Sequence, residues 1–320
     1  MRTPLVEFQN PDQTDSRKLF LKLENLQPIG AFKIRGAYNK IASFPPAERE
    51  AGVITYSSGN HGHGVAYAAR ALGTKAVIVM PKAAPAVKRD AVAALGAEIV
   101  LVGPSSLERQ HRAEELARKH GYAIVPPFND ERIIAGQGTI GLEVLEDLPQ
   151  VQTVLVPVGG GGMISGIATA VKLSKPSANV IGVEPEIAAD AKASLDQGHI
   201  VESPAEQVSL TIADGLRTQS IGPINFEHIR TYVDTIVTVS EAEIREAVRR
   251  LAANPKTLAE PSGAVAVAAF LFRKEQLPNT NVNVAVVSGG NIEPKVLQEI
   301  QNEQTRATPR FEIAPKPVGT

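Results

Sequence analysis

Three short segments hold most of the residues that could do chemistry. Lys33 lies in Gly30-Ala31-Phe32-Lys33-Ile34-Arg35-Gly36, at the start of a predicted helix over 31–44. A lysine at a helix start feels the positive helix end. That lowers its pKa and favours the neutral amine needed to attack a carbonyl and form a Schiff base. A glycine run, Gly159, Gly160, Gly161 and Gly162, joins an apolar segment (Val154, Leu155, Val156, Val158) to a helical pattern beginning near Met163. A buried strand feeding a glycine loop and a helix N-terminus is an anion site, because free amides of the first turn point outward and glycine admits close approach. The third segment, Ser57-Ser58-Gly59-Asn60-His61, sits at another strand-to-helix junction, and Ser288-Gly289-Gly290-Asn291 ends a further apolar strand.

The glycine loop predicts a phosphate, and the common nucleotide motifs do not fit it. A dinucleotide fingerprint requires G-x-G-x-x-G/A, yet counting from Gly159 places Ile164 at the last position and counting from Gly160 places Ser165 there. A P-loop requires Gly-Lys-Ser/Thr, and Ile167 follows Gly166. Glu184, at the end of the next strand, stands where a ribose-binding acid would sit.

These segments need a scaffold of strands with helices between them, and the sequence supplies one. Segments 52–58, 76–81, 98–103 and 122–127 read as strands separated by helices over 61–72, 85–95 and 105–120. A parallel sheet covered on both faces follows. Helix 132–146, the glycine unit, strand 179–186, strand 233–240, helices 241–253 and 261–273 and strand 283–291 continue the alternation. Residues 1–18 read as polar and turn-rich apart from the strand at 19–23, 196–209 as a polar loop, and the last twenty residues as a weakly docked tail. The expected organisation is a small α/β domain, 49–130, inserted into a larger one built from 1–48 and 131–320, with ligands at the carboxyl ends of the strands.

Composition narrows the function. The chain has 320 residues, 43% hydrophobic and 21% charged, with a net charge of -1. That describes an ordinary globular protein without general attraction to nucleic acid or anionic membranes. No cysteine is present, which excludes disulfides, thiol catalysis and thiolate metal sites. Aromatic residues are only 4% and tryptophan is absent, which argues against base-stacking platforms. No apolar run reaches the roughly 18 residues of a membrane span and no signal-peptide pattern is seen, so the expectation is a cytoplasmic enzyme without membrane or nucleic-acid partners.

Taken together and in order, GAFKIRGA, SSGNHGHGVAYAA, PVGGGGMISG, EPSGAVAVAA and VVSGGN resemble the fold-type II pyridoxal-phosphate enzymes, within them the serine/threonine dehydratase and serine racemase branch. The likeness runs from Arg2-Thr3-Pro4-Leu5 to about residue 295. It implies a tryptophan synthase β-like α/β fold, two open twisted domains with pyridoxal 5'-phosphate in the cleft between them. It also implies that Lys33 forms the Schiff base with the cofactor, with Phe32 packed nearby. By the same likeness, Gly159 to Gly162 with Met163 cup the phosphate, Asn60 meets the ring hydroxyl, Gly215 lies against the ring and Ser288 faces the ring nitrogen. Ser57, Ser58, Gly59, Asn60 and His61 would receive the carboxylate of a small amino-acid substrate. Ser58 would be a second acid/base opposite Lys33, with Arg109 on that face, and Glu260 would lie close by. Glu184, Ala188 and Asp190 match a divalent-cation site for Mg2+ or Ca2+, and carboxylate and carbonyl oxygens suit those ions.

A neutral hydroxyl at the ring nitrogen does not hold it protonated, which favours loss of a β-leaving group over transamination. The resemblance therefore implies dehydration and deamination of L-serine, L-threonine or a related β-hydroxy amino acid by a homodimer. Serine racemase, or a hydroxyaspartate-type dehydratase or racemase, is the alternative, with a non-catalytic cofactor-binding protein and a nicotinamide oxidoreductase behind it. The chain opens almost directly on the matching segment and ends at 320 without the regulatory domain of biosynthetic threonine dehydratases, so feedback through such a domain is not expected. Ile29 stands where threonine is frequent in the family.

Overall fold

The structure, a computed structural model, describes residues 1–9, 15–57, 59–103 and 105–307, with only the backbone of Ser106 and of 304–307. In chain order the elements are β1 (Leu5–Phe8), β2 (Lys18–Leu23), α1 (Lys33–Ser43), α2 (Pro46–Ala51), β3 (Val53–Thr55), α3 (Asn60–Ala71), β4 (Ala76–Pro81), α4 (Ala86–Ala93), β5 (Glu98–Val102), α5 (Ser106–His120), β6 (Ala123–Ile124) and α6 (Glu131–Asp147). There follow β7 (Thr153–Pro157), α7 (Gly162–Ser174), β8 (Asn179–Pro185), α8 (Asp190–Gln197), α9 (Ala205–Val208), α10 (Pro223–Tyr232), β9 (Thr235–Val239), α11 (Glu241–Leu251), α12 (Pro261–Phe272), β10 (Val282–Val287) and α13 (Pro294–Ala307).

The strands form two sheets. One has six strands in the order β1-β2-β10-β7-β8-β9, parallel throughout except for the antiparallel edge strand β1. The other has four parallel strands in the order β5-β4-β3-β6, all drawn from residues 53–124. Both sheets carry near-continuous apolar strands, as sheets covered on two faces require. Every residue of β7 is buried, as are five of the six in β10. Helix α12 is apolar all round, PSGAVAVAAFLF, and lies against β7, β8, β9 and β10, where no face of it meets water. Helix α11 shows the opposite pattern: a capping box of Ser240 and Glu243 starts it, and Ile244, Ala247, Val248 and Leu251 form its buried stripe.

Helix α1 stands between the sheets. Its Ala37 and Ile41 join the core under the four-stranded sheet with Val53, Val65 and Ile78, although the expected boundary at 48 groups them with the larger domain. Its outer end is held by a buried ionic network. The Arg35 guanidinium pairs with Glu24 at 2.8 Å and with Glu143 at 2.6 Å, and Lys22, fully buried, pairs with Glu143 at 2.7 Å. Two cations face two anions, so the buried charges cancel. Against the desolvation that burial imposes, Glu24 and Glu143 raise the Arg35 guanidinium. Arg35 and Lys22 overcome the same penalty at Glu143 and hold its carboxyl at about 2.

Five segments depart from the sequence reading, one of them α2, a six-residue helix where no element was expected. Strand β1 lies within the stretch read as turn-rich; it is a four-residue edge strand whose residues are mostly half-buried. Helices α8 and α9 overlap the loop expected over 196–209, and α10 was not expected. Helix α13 covers the first part of the expected tail; 308–320 lie outside the described residues.

Candidate active site

Lys33 opens α1 directly after a tight turn. Gly30 adopts φ 72°, a left-handed conformation that favours glycine, and its amide donates to the Gln27 carbonyl at 2.7 Å. The turn is stitched to the end of β10. The Phe32 amide donates to the Ser288 carbonyl at 3.0 Å, the Gly290 amide donates to the Gly30 carbonyl at 2.9 Å, and Ala31 bridges Gly289. The Lys33 Nζ donates to the Pro127 carbonyl at 2.8 Å and lies 5.1 Å from the Phe32 ring centroid. Among the described residues no carboxylate pairs with the amine, and the Pro127 carbonyl replaces only part of the solvation it loses. Burial lowers it to about 8. Desolvation is thus the named cause of the shift, where the sequence pointed to the helix end.

The segment that holds the Lys33 amine also walls the glycine loop. The ring of Phe128 occupies the space beside Gly160, where an added Cβ would come within 2.3 Å of it, and Phe128 also closes on Gly162. Gly161 takes φ 90° as the cap of α7, against Asn225. Among the described residues, none of the amides from Gly159 to Met163 has a protein acceptor. Unspent donors at the N-terminus of a 13-residue helix, with no side chain in the way, fit a phosphate. Met163 itself is buried in the core behind the loop.

The loop before α3 is built from side chains. The Ser57 hydroxyl accepts from the Gly59 amide at 3.3 Å, and Gly59 caps α3. Ser58 lies outside the described residues. The Asn60 Nδ2 donates to Glu260 at 2.7 Å, and its Oδ1 accepts from Asn291 at 2.8 Å. His61 turns inward: its Nε2 is 3.0 Å from the Val125 carbonyl, and desolvation, reinforced by Lys33, pushes its pKa to about 3. Its ring is therefore neutral and committed, so any carboxylate contact from this residue falls to its backbone amide. Arg109 is half-buried on α5.

Ser288 is buried at the end of β10, its hydroxyl donating to the Ser262 carbonyl at 3.4 Å. The Ser262 hydroxyl accepts from the Gly215 amide at 2.8 Å, and a Cβ on Gly159 would lie 3.3 Å from the Gly215 carbonyl. Glu260 caps α12 from a buried position. Desolvation, then the charge of Asp214, raises its carboxyl to about 7 against the pull of Asn60 and Lys88. Lys88 of α4 reaches Asp214 and Glu293, each at 3.5 Å. These contacts close a ring: the Lys33 turn to Ser288, Ser288 to Ser262 and Gly215, Gly215 to the glycine loop, and the glycine loop through Phe128 back to the carbonyl that holds Lys33.

Glu184 and Asp190 take no part in that ring. The Glu184 carboxylate accepts from the amides of Ala191 at 3.0 Å and Lys192 at 2.8 Å, at the opening of α8. Both oxygens of Asp190 are buried and make no hydrogen bond of normal geometry among the described residues. Desolvation raises both carboxyls, Asp190 to about 7, and the charge of Asp190 adds to the rise at Glu184. Ala188 is buried beside them. Among the described residues no group of three or more His, Cys, Asp and Glu side chains is placed to hold a metal. Two adjoining buried acids, one without a well-formed hydrogen bond among the described residues, nonetheless fit a cation that a backbone carbonyl and water would complete.

Three contributors escaped the sequence reading. Pro127 and Phe128 sit at the start of PPFND, a turn-rich stretch that follows β6, and Asn225 lies in a helix of weak amphipathicity. Asn291 stood in a segment singled out for its glycines.

Comparison with known proteins adds the following. The family model described as "Pyridoxal-phosphate dependent enzyme" matches residues 1–289. The L-threonine ammonia-lyase of Thermotoga maritima is 44% identical over 304 residues, which cover 94% of this chain and 74% of that protein. The processed form of threonine deaminase isoform 2 from Solanum lycopersicum superposes with a TM-score of 0.89 at 38% identity, covering 94% of this chain and 88% of that one. Maize serine racemase gives a TM-score of 0.88 at 36% identity, covering 96% and 93%.

Proposed function

The chain belongs to the family of pyridoxal-phosphate-dependent enzymes, and from that premise we propose that it removes water and ammonia from L-threonine, L-serine or a related β-hydroxy amino acid to give a 2-oxo acid. The observation that carries the reading is Lys33. Burial lowers its amine to about 8, no carboxylate pairs with it among the described residues, and it is tied through its own turn to Ser288 and through the Pro127 carbonyl to the wall of the glycine loop.

Bound pyridoxal phosphate supplies an electron sink for charge left on the substrate α-carbon. The chain's residues take the other roles. The amides of Gly159, Gly160, Gly161, Gly162 and Met163 hold the phosphate, where their unspent hydrogens and the helix dipole meet its charge. Those of 57–61 hold the substrate carboxylate. Asn60 would hold the ring hydroxyl, Phe32 and Gly215 would pack against the ring, and the Ser288 hydroxyl would meet the ring nitrogen without a charge of its own.

The Lys33 amine accepts the proton from the α-carbon. The C–H electron pair becomes the Cα=Cβ bond, and the β-C–O bond breaks with its pair leaving on oxygen, which takes the proton held by the Lys33 ammonium and departs as water, returning the neutral amine. The released enamine tautomerises and is hydrolysed to the 2-oxo acid and ammonia, so one water leaves and one enters.

The same reading divides the chain into a large domain, 1–48 and 131–320, and a small one, 49–130, which the two sheets support. It puts Mg2+ or Ca2+ at Glu184, Ala188 and Asp190, away from the chemistry. It carries a homodimer and a cytoplasmic setting on the family resemblance alone. Among the described residues no helix is long and apolar enough to cross a membrane.

The likeness to maize serine racemase favours a second activity on the same site, racemisation, with Ser58 as the base opposite Lys33. One assay separates the two. Protein loaded with cofactor is incubated with L-threonine, L-serine and L-threo-3-hydroxyaspartate in turn, and both the 2-oxo acid and the enantiomer of the remaining substrate are measured. Oxo acid without inversion supports the dehydratase. Accumulating D-enantiomer that Ser58→Ala removes, while oxo acid persists, assigns the racemase. Neither product sinks both.

A further inference from the structure

We propose that Asn291, acting with Glu260, is a positioning residue that fixes the orientation of the Asn60 side-chain amide. The inference rests on the cofactor reading above, which places Asn60 against the ring.

The argument begins at a group whose polarity is not in question. The Ile29 carbonyl can only accept, so the Asn291 atom 2.9 Å from it is Nδ2. The second hydrogen of that Nδ2 goes to Asn60, 2.8 Å away, so the Asn60 atom there is Oδ1. The other end of the Asn60 amide is then Nδ2, and it faces the Glu260 carboxylate at 2.7 Å, an acceptor when ionised. Each bond dictates the sense of the next, from a backbone carbonyl to a buried acid. One Nδ2 hydrogen of Asn60 stays available, on an amide whose rotation would place nitrogen against nitrogen at Asn291 and, with Glu260 ionised, oxygen against carboxylate.

The backbone gives way to both supporting side chains. A Cβ at Gly30 would lie 2.3 Å from the Asn291 Oδ1, and a Cβ at Gly289 would lie 2.3 Å from the Glu260 Oε1. The joint also ties separate elements together. Gly30 belongs to the Lys33 turn, Asn60 opens a helix packed on the four-stranded sheet, and Asn291 and Glu260 follow elements of the six-stranded one. Besides Asn60, burial and Asp214 favour the neutral form of Glu260, while Lys88 and the Asn291 backbone amide favour its carboxylate.

Asn291→Asp tests this, since it keeps the size and sets a carboxylate oxygen against two acceptors. Holoenzyme carrying it should lose about tenfold or more in kcat for L-threonine, as misplaced groups near the chemistry do, with KM changed less than about threefold. The visible cofactor band should shift. In an Asn60→Ala background, Asn291→Asp should have no additional effect on kcat, because its influence runs through Asn60. Glu260→Gln, read in the same cycle, carries the test from the other end should Asn291→Asp not fold, with the same non-additivity expected. An unshifted band in Asn291→Asp, or losses that multiply in the double variants, overturns the inference alone. A wild-type protein that shows no visible band with the cofactor overturns the functional reading and this inference with it.

Discussion

The loop at 159–162 and the loop at 57–61 each precede a helix N-terminus, and each faces an anion in the reading above, but they do so by different means. The first is backbone only. Its amides are unspent, its conformation needs φ 90° at Gly161, and Phe128 and Asn225 fill the space that side chains would take. It is a fixed cup for a group that stays. The second loop depends on side chains held from outside: Asn60 is pinned by Glu260 and Asn291, and the His61 ring is spent on the Val125 carbonyl. Its geometry is a property of the joint between the two sheets, which suits a group that must enter and leave. A resident cofactor and a transient substrate thus call for different construction from the same helix-terminus electrostatics.

The strongest way to break the comparison is to remove the residue between the loops. Lys33→Ala should abolish turnover, with a fall on the order of 10^4-fold or more, since both the covalent anchor and the main base go. A steady-state rate within a few-fold of wild type would remove Lys33 from the account. Next comes the fixed cup. Gly160→Ala puts a methyl into the Phe128 ring and should weaken cofactor binding by about 10- to 100-fold, the size of ordinary overpacking penalties. Gly59→Ala, where nothing lies within 4 Å of the added Cβ, should leave cofactor affinity near wild type. Equal losses in a cofactor titration would erase the difference between the loops.

Smaller effects sharpen it. Lys33 has its pKa lowered to about 8, so the neutral amine becomes the main form as pH rises through that value. Capture of cofactor by the cofactor-free protein should speed up about tenfold per pH unit below 8 and level off above it. A rate still climbing at pH 10 would contradict a desolvated amine. The end of β8 offers the opposite polarity at the same edge of the six-stranded sheet. There Glu184 and Asp190 are buried together, and Mg2+ or Ca2+ should raise the Tm by a few degrees while chelation lowers it without releasing cofactor. Asp190→Asn should remove that dependence, and a Tm indifferent to cation would argue against the metal.

Much of this was legible because the site is written in backbone signals. Glycine runs, strand ends and a lysine at a helix start survive as sequence patterns, since they concern neighbours along the chain. The parallel strands were legible for the same reason: β7 and β10 are apolar but for Thr153 and Asn283. Strand β1 was not, because four edge residues, three half-buried and Glu7 exposed, carry no clear period. Helix α10 hid behind Pro223 and a mixed face. Phe128 and Asn291 were invisible in principle: their partners lie 32 and 231 residues away, at Gly160 and Asn60, and only the fold brings them together. The cause of the Lys33 shift was likewise hidden, since desolvation depends on what packs around the amine.

The measurement that meets the central claim most directly is borohydride reduction of the cofactor-loaded protein, followed by peptide mass mapping. The account predicts a single pyridoxyl label, on the peptide containing Lys33, and its absence from Lys33→Ala. A label on a different lysine, or none on wild-type protein, would contradict it.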